Sequence, residues 1–328
     1  MIVGHFANLT EAQKLVRSEL LAGVVQQIYE EGQLLQKLPV TTINAKSLIY
    51  NRESVLPSAA QYDIHEQIPW TADVGYTDQV EVALTRTARQ DVLDKFMMKT
   101  YKTPNDYRAI VLGQLRKGCM RTIEDFIIYG DGTGKNPTGL DKLCPAVGGD
   151  TFAAGKQDQD HGGAAAGAMP VVQILNLIGA CKPRPDVLLM RRTVKNMLWK
   201  YSMGKAGALI MASTPSGFGT LIESVNGVPI LVSDYLVDEA DNSGGKSSGT
   251  GLSSIYAVRF GPIEDGGLCL VTGGDTGGVD FFEMVEIDNL ENYDASGIRL
   301  VAYWNLALGS TKAIARIHSF EDVDGFTD

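Results

Sequence analysis

The stretch DFIIYGDGTGKNPTGL (residues 125–140) places three glycines and a lysine directly after an apolar segment. Glycine-rich loops can cradle phosphate, which would indicate a nucleotide enzyme. The stretch fails both common phosphate motifs, because Tyr129 stands where a P-loop needs its first glycine and Asn136 where it needs Ser or Thr. Lys135 also replaces the last glycine of Gly-x-Gly-x-x-Gly. Since such loops follow a strand and this one closes a helical pattern, phosphate binding is not favoured.

The glycines of this stretch are better explained by chain geometry. We expect Gly130 to end the preceding helix in a left-handed conformation, and Gly132 and Gly134 to permit tight turns. Pro137 and Gly139 are typical of a second turn, which directs the chain toward the α/β lobe that follows. The sequence therefore predicts a redirecting element here.

No other motif gives a positive catalytic signal. Asp275-Thr276-Gly277 is the tripeptide of aspartic proteases, but it has no second copy and glycines flank it on both sides, so an inter-strand loop is favoured. The histidines and cysteines lie far apart, without metal-ligand or Cys-x-x-Cys spacing, at His5, His65, His161, His318, Cys119, Cys144, Cys181 and Cys269. No Gly-x-Ser-x-Gly elbow is present. We predict free, buried thiols, no catalytic, cofactor-binding or metal-binding residues, and no cofactor.

One segment concentrates positive charge. Its cations are Lys182, Arg184, Arg191, Arg192, Lys195, Lys200 and Lys205. Trp199 and Tyr201 are interleaved with them, which would suit a nucleic-acid patch. The alternative is a solvated helix face that pairs with acidic residues of an adjacent subunit. The second interpretation is favoured, because the whole chain carries a net charge of −10 and repels polyanions.

Composition describes an ordinary globular chain of 328 residues with 44% hydrophobic residues and a high content of 36 glycines, which favours turns and loops. No apolar run approaches the roughly 18 residues of a membrane span, and the N-terminus lacks the layout of a signal peptide. These features predict a soluble, cytoplasmic protein without a membrane partner.

The periodicity predicts a succession of unlike elements. An amphipathic helix with a Thr10–Gln13 capping box is expected over 10–38, followed by extended chain from Thr41 to about Phe96 that is too polar to form its own core. A long helix then begins near Thr103, and Gly130 ends it. A Gly/Ala-rich surface loop follows over 148–168.

The sequence pattern of the second half of the chain predicts a smaller α/β lobe, followed by strands. This lobe begins with a helix from Pro170 to about Cys181 and ends in a hairpin with the strong turn signal Asn226-Gly227. The last third is almost entirely strand-like. The fold class is therefore α+β, with a long helix on an antiparallel sheet, an inserted α/β lobe and two extensions.

This order of features resembles the major capsid proteins of tailed bacteriophages, with the fold named after a Hong Kong coliphage and shared with encapsulins. The most specific parts are the helix exit YGDGTGKNPTGL and the closing segment GIRLVAYWNLALGSTKAIARI (297–317). The resemblance implies five parts. They are an N-terminal arm (1–40), an extended β-hairpin loop (41–96), a peripheral domain with a spine helix (97–168), an axial α/β domain (169–237) and a return with the peripheral sheet (238–328).

The resemblance also implies what the chain does and what it contacts. We expect pentamers and hexamers that form an icosahedral shell around double-stranded DNA held by confinement, with an encapsulin-type compartment as the alternative and an enzyme as a remote one. The expected location is the virion capsid, assembled in the cytoplasm of a bacterial host. Separate scaffolding and portal proteins, and decoration proteins, are the further partners. The predicted subunit-interface residues are Tyr62, Ile68, Trp70, Arg191, Arg192 and Lys195.

Two features depart from parts of that family. Many relatives carry a scaffolding extension of about a hundred residues before the arm, and none precedes it here, so a separate scaffold or prior cleavage is expected. Some relatives cross-link subunits through a lysine–asparagine bond. Lys46 is the only lysine between Leu38 and Asp94, near the base of the loop, and no acceptor aligns among Asn289, Asn292 and Asn305. We therefore predict no cross-link.

Overall fold

A computed structural model describes most of the chain. The described residues are 34–53, 58–70, 78–100, 107–146, 157–161, 169–204, 211–215, 221–240, 246–247, 250–274, 281–291, 293–321 and 326–327. The predicted N-cap at Thr103 and the tripeptide at Asp275 lie outside these ranges. So does most of the predicted helix over 10–38, of which only the last residues are described.

The elements are numbered here in chain order over the described residues. The helices are α1 (Leu34–Lys37), α2 (Lys95–Thr100), α3 (Tyr107–Tyr129), α4 (Leu140–Ala146), α5 (Val171–Ala180) and α6 (Arg192–Gly204). The strands are β1 (Val40–Ile43), β2 (Ser47–Arg52), β3 (Asp78–Ala83), β4 (Thr85–Asp94), β5 (Asp158–Asp160), β6 (Met169–Pro170), β7 (Val187–Met190), β8 (Met211–Pro215), β9 (Leu221–Val225), β10 (Val228–Val232), β11 (Leu252–Val258), β12 (Leu268–Gly273), β13 (Glu283–Ile287), β14 (Ala295–Leu308), β15 (Ile314–Glu321) and β16 (Phe326–Thr327).

Helix α3 is the predicted long helix and is called the spine helix below. Its 23 residues span about 35 Å at 1.5 Å per residue. One apolar stripe at helical spacing is buried along it, at Val111, Leu115, Cys119, Ile123 and Ile127. This stripe packs on β4 and β14, as the prediction of a helix on an antiparallel sheet requires.

The first sheet is built around the long strand β14. Strand β4 pairs antiparallel with β14 along one edge, from Ala295↔Asp94 to Trp304↔Thr85. Strands β13 and β12 follow each other along the opposite edge, also antiparallel. Strand β1 completes the sheet of five strands by pairing parallel with β12. The spine helix thus lies on a sheet whose strands come from both ends of the described chain.

The second sheet has seven strands in the order β5-β15-β11-β7-β10-β9-β8. Its hairpin β9–β10 turns at Asn226 (φ 48°) and Gly227 (φ 76°), which confirms the predicted two-residue turn with positive φ at both central positions. Helices α5 and α6 bury their apolar faces in the core of this lobe, with Ile174, Val194 and Leu198 fully covered.

Two features of the chain path differ from the sequence prediction. Strands β11 and β15, from the strand-rich last third, pair in the second sheet rather than in the sheet under the spine helix. The ends of the extended segment 41–96 also belong to the body, because β1 and β4 pair in the first sheet. Both differences involve strands that are distant along the chain, as in the pairs Leu252↔Glu321 and Val40↔Leu270, and local periodicity does not reveal such pairs.

A shared core joins the two sheets. The end of the spine helix (Ile123, Ile127), Trp304 of β14 and Tyr256 of β11 are all fully buried in it. In the part of the chain that the structure describes, no helix has the length and apolar character needed to cross a membrane.

Candidate assembly surfaces

The segment 58–70 stands clear of the body between β2 and β3. Every residue of it is exposed, including the three residues predicted from sequence as interface residues, Tyr62, Ile68 and Trp70. Trp70 is fully exposed, and Ile68 is 66% exposed. These exposed apolar side chains make the segment a candidate for contact with another molecule, and its role as an interface stays a prediction.

A small turn fixes the middle of this segment. The Asp63 carbonyl accepts a hydrogen bond from the Glu66 amide (3.0 Å), and the Glu66 carboxylate accepts one from the Asp63 amide (2.8 Å). His65 adopts a left-handed conformation (φ 72°). The turn presents Ile64, which is 85% exposed. Ile64 was not predicted from the sequence, although an apolar residue between Asp63 and His65 was the available signal.

The base of the same segment is anchored to the body. Strands β2 and β3 form an antiparallel hairpin from Ser47↔Ala83 to Arg52↔Asp78. The Tyr50 hydroxyl donates to the Leu308 carbonyl (2.7 Å), and the Arg52 guanidinium donates to the Gly309 carbonyl (3.0 Å). Burial raises the pKa of Tyr50, so its hydroxyl keeps the donated proton. The exposed segment therefore projects from a fixed root at the end of β14.

Three cations of the basic segment around α6 pair with acidic residues of the same chain. Arg191 lies 2.7 Å from Asp238, and Lys195 lies 2.6 Å from Glu223, in both cases between side-chain nitrogen and carboxylate oxygen. Arg192 lies 3.5 Å from Asp234. The favoured interpretation placed the acidic partners in an adjacent subunit, and this is wrong for these three cations, because their acids belong to the same chain. A role in subunit contact stays a prediction.

The helix exit at 130–139 is a closed loop rather than an open cradle. The Gly139 amide donates to the Gly130 carbonyl (2.8 Å) and the Gly132 amide to the Pro137 carbonyl (3.0 Å). The Thr133 amide donates to the Asp131 carboxylate (3.1 Å). The Thr133 hydroxyl also donates to this carboxylate (2.7 Å), and these two hydrogen bonds from Thr133 lower the pKa of Asp131. The loop therefore contains a carboxylate, whose negative charge disfavours phosphate.

Gly130 follows the last residue of the spine helix, as predicted, but the predicted left-handed conformation of Gly130 is wrong. Positive φ occurs at Gly132 (66°) and Gly134 (61°), as predicted, but Gly130 does not adopt the left-handed conformation. Gly130 is required because the returning chain touches it: an added Cβ would lie 2.3 Å from the Pro137 carbonyl oxygen. Gly139 is its counterpart, with a Cβ position 2.4 Å from the Gly130 nitrogen. Two backbones cross here at a distance that only glycine permits.

A buried ionic cluster joins the exit of the spine helix to the second sheet. The guanidinium of Arg316 (β15) contacts the carboxylates of Asp158 (2.9 Å) and Asp141. His318 lies 3.5 Å from Asp158, and its buried position, with the charge of Arg316, lowers its pKa. The cluster was not predicted from the sequence, because Arg316 and Asp141 lie 175 residues apart. Removing one partner of such a buried ion pair would leave a buried charge uncompensated, which is strongly destabilising.

The described residues can be examined for metal ligands and for reactive thiols. None of the groups of His, Cys, Asp and Glu that they form could hold a metal ion. All four cysteines are free and buried, as predicted. Burial raises the pKa of Cys181 to about 12 and that of Cys144 further, so neither thiol is an activated nucleophile.

The asparagines considered as cross-link acceptors differ in environment. Asn305 is buried, and its amide donates to the Ala83 carbonyl (2.7 Å) while accepting from the Thr138 amide (3.0 Å). It therefore ties the helix exit to β14 and the loop hairpin. Asn289 contacts Lys95 of the same chain, and Asn292 lies outside the described residues. The absence of a cross-link stays a prediction.

Comparison with known proteins finds one matching family and several solved structures with a similar fold. The model of the Phage capsid family matches residues 12–250. Among solved structures, the holo-SrpI encapsulin complex of Synechococcus elongatus is 17% identical, with a TM-score of 0.68 over 98% of this chain and 99% of that one. The capsid of an empty GTA particle is 14% identical, with a TM-score of 0.65 over 94% and 96%. Microbacterium phage Oxtober96 is 14% identical, with a TM-score of 0.60 over 95% and 98%. No curated protein sequence matches the chain.

These observations define the class first: the protein is a structural protein with the α+β fold shared by phage capsids and encapsulins. The match over most of its length then gives the family. The chain belongs to the Phage capsid family, and it is a capsid shell protein that self-associates.

Proposed function

We propose that the protein closes into an icosahedral shell of pentamers and hexamers that holds double-stranded DNA by confinement. The observation that carries the proposal is the fully exposed segment 58–70, whose apolar side chains need a cover that its own chain does not supply among the described residues. The net charge of −10 supports confinement rather than adhesion, because an acidic wall repels the phosphate backbone. Assembly then takes place in the host cytoplasm, with scaffolding, portal and decoration proteins as separate partners.

We assign the elements of the structure to the five predicted parts of the capsid fold. The spine helix with the first sheet forms the peripheral domain, and the lobe around α5 and α6 forms the axial domain. The hairpin β2–β3 carries the extended loop, and the N-terminal arm lies before β1. Since β11 and β15 pair in the second sheet, the two domains share strands from the last third and the core between them.

The proposed intersubunit contact has two parts of unequal strength. Tyr62, Ile68 and Trp70 form the main one, because their apolar surface is desolvated only when a neighbouring copy covers it. Arg191, Arg192 and Lys195 form the second. Their ion pairs within the chain make this face nearly neutral, so neighbouring subunits would meet it through shape and hydrogen bonding more than through net charge.

We also infer that the protein is not an enzyme. The closed hydrogen bonding of 130–139 and the inert thiols support this. The remote alternative was a nucleotide hydrolase at Lys135 or a protease at Asp275. Loss of a measured hydrolytic activity on Lys135→Ala or Asp275→Asn would contradict the proposal.

An encapsulin-type compartment is the second candidate, favoured by the likeness to an encapsulin over 98% of the chain. The content of the particle separates the two. The full chain, expressed in its natural genetic context, should yield closed particles by electron microscopy that contain nuclease-protected DNA and no stoichiometric folded protein. Closed particles filled with a folded protein and free of DNA would favour the compartment. A persistent monomer at high concentration would contradict both.

A further inference from the structure

Glu239 is a buried carboxyl that the assembly surfaces do not use. Its side chain is fully covered and accepts hydrogen bonds from two neutral hydroxyls, those of Tyr129 (2.9 Å) and Ser254. Tyr129 is the last residue of the spine helix, and Ser254 belongs to β11 of the second sheet. One carboxyl group therefore bridges the two structural units of the chain.

The backbone around Glu239 makes this bridge rigid. The Glu239 amide donates to the Leu252 carbonyl (3.0 Å), and the Thr250 hydroxyl donates to the Glu239 carbonyl (2.7 Å). The Tyr129 oxygen also accepts from the Val237 amide (3.2 Å). The carboxyl group therefore cannot turn to water when it becomes charged, and a buried carboxylate without a direct cation is costly.

The charges that face Glu239 do not remove this cost. Arg316, from β15, attracts the carboxylate, but its guanidinium is engaged by Asp158 and Asp141. Asp141, from α4, repels it, and Tyr256 faces it from β11. Lys246, whose backbone forms a β-bridge with Glu239, directs its ammonium group to Asp125 and over the Tyr129 ring.

These neighbours set the direction of the titration. Burial raises the pKa of Glu239 to about 7, in spite of hydrogen bonds from Ser254 and Tyr129 that lower it. We propose that Glu239 is a proton-operated latch: the protonated carboxylic acid holds the end of the spine helix on the second sheet, and the carboxylate loosens that hold.

The sign of the pH dependence follows from the raised value. A glutamate in the unfolded chain releases its proton near pH 4.3. The stabilisation by protonated Glu239 is therefore fully present below about that pH and is lost as the pH rises through about 7. His318 has the opposite sign, because its lowered pKa gives stability above its ordinary value of about 6.5 that is lost on acidification.

The test is the pH dependence of unfolding of the full-length protein. Urea unfolding is measured between pH 5.5 and 8.5 for the natural chain, for Glu239→Gln and for Glu264→Gln, which makes the same change at an exposed carboxyl. Divided by that of Glu239→Gln at the same pH, the unfolding constant of the natural chain should rise by up to about tenfold per pH unit as the pH approaches 7 from the acid side, the slope of one proton. This ratio removes the opposite contribution of His318, which both proteins share. Glu264→Gln should show the same pH dependence as the natural chain.

A second variant keeps the proposal testable if Glu239→Gln does not fold. Tyr129→Phe removes a hydroxyl that favours the charged form, so the pH at which the slope ends should move upward. An infrared carbonyl band of a protonated carboxylic acid at pH 6, absent from Glu239→Gln where that variant folds, would support the latch directly. An unchanged slope in Glu239→Gln, or an unshifted pH range in Tyr129→Phe, would overturn it.

Discussion

The helix exit at 130–139 and the loop at 58–70 are both irregular segments, but they differ in how they are packed. In the exit, backbone amides find acceptors inside the loop, and two glycine backbones touch. In the loop, the small Asp63–Glu66 turn satisfies its own backbone, but all of the side chains from 58 to 70 face solvent. The segment that resembles an active site by its glycines is explained by close backbone packing, whereas the segment without any motif is the one that we propose as the contact surface.

The largest expected effect comes from breaking the closed segment. Gly130→Ala would place a Cβ 2.3 Å from the Pro137 carbonyl oxygen and 2.6 Å from that of Phe126, and backbone cannot move aside cheaply. We expect a loss on the order of 3 kcal/mol or more in the free energy of unfolding, measured by urea denaturation. Gly113→Ala is the matched control, because its added Cβ meets nothing within 4 Å. It should stabilise the spine helix by about 0.5–1 kcal/mol. Equal changes in the free energy of unfolding for the two variants would contradict the close approach of the two backbones at Gly130.

The next effect concerns the open segment. The double substitution Ile68→Ala and Trp70→Ala should abolish particle formation, since exposed apolar anchors of an interface each contribute about 2 kcal/mol or more. The free energy of unfolding of the unassembled chain should change by less than about 0.5 kcal/mol, because both side chains are exposed. Met284→Ala removes an exposed apolar side chain of β13 and should leave assembly intact. Size-exclusion chromatography and electron microscopy read out both variants, and shells formed by the double variant would contradict the assignment.

The smallest effect is expected at Lys135, the residue that most suggested phosphate chemistry. It is exposed, and its loop already holds the Asp131 carboxylate. Lys135→Ala should change stability by less than about 0.5 kcal/mol and leave assembly unaltered. Calorimetric titration with inorganic phosphate should give no binding to the natural chain. A micromolar affinity that disappears in Lys135→Ala would reverse the comparison.

Sequence patterns predicted the parts of this fold that depend on neighbours along the chain. The spine helix was visible because its buried stripe repeats at helical spacing, and the β9–β10 hairpin because Asn226-Gly227 suits its turn. The role of Gly130 was not visible, because the reason is the approach of Gly139 and Pro137 in space. The Arg316 cluster was hidden in the same way, since Asp141 and Asp158 give no signal at their own positions.

Of the candidate assembly surface, the sequence predicted the location and the apolar residues but not the shape. Polar extended chain with scattered aromatics indicated a segment that packs on something else, and Tyr62, Ile68 and Trp70 are exposed there. The turn that presents Ile64 depends on two acids folding back on their own backbone. The in-chain pairing of Arg191 with Asp238 depends on how α6 meets the segment after β10.

The most direct test of the central claim is a cryo-electron-microscopy reconstruction of the particles formed by the full-length protein. We predict a closed icosahedral shell in which Trp70 and Ile68 of each subunit are buried against a neighbouring copy, while the loop at 130–139 keeps its internal hydrogen bonds. A shell in which segment 58–70 remains uncovered, with subunits joined elsewhere, would contradict the account.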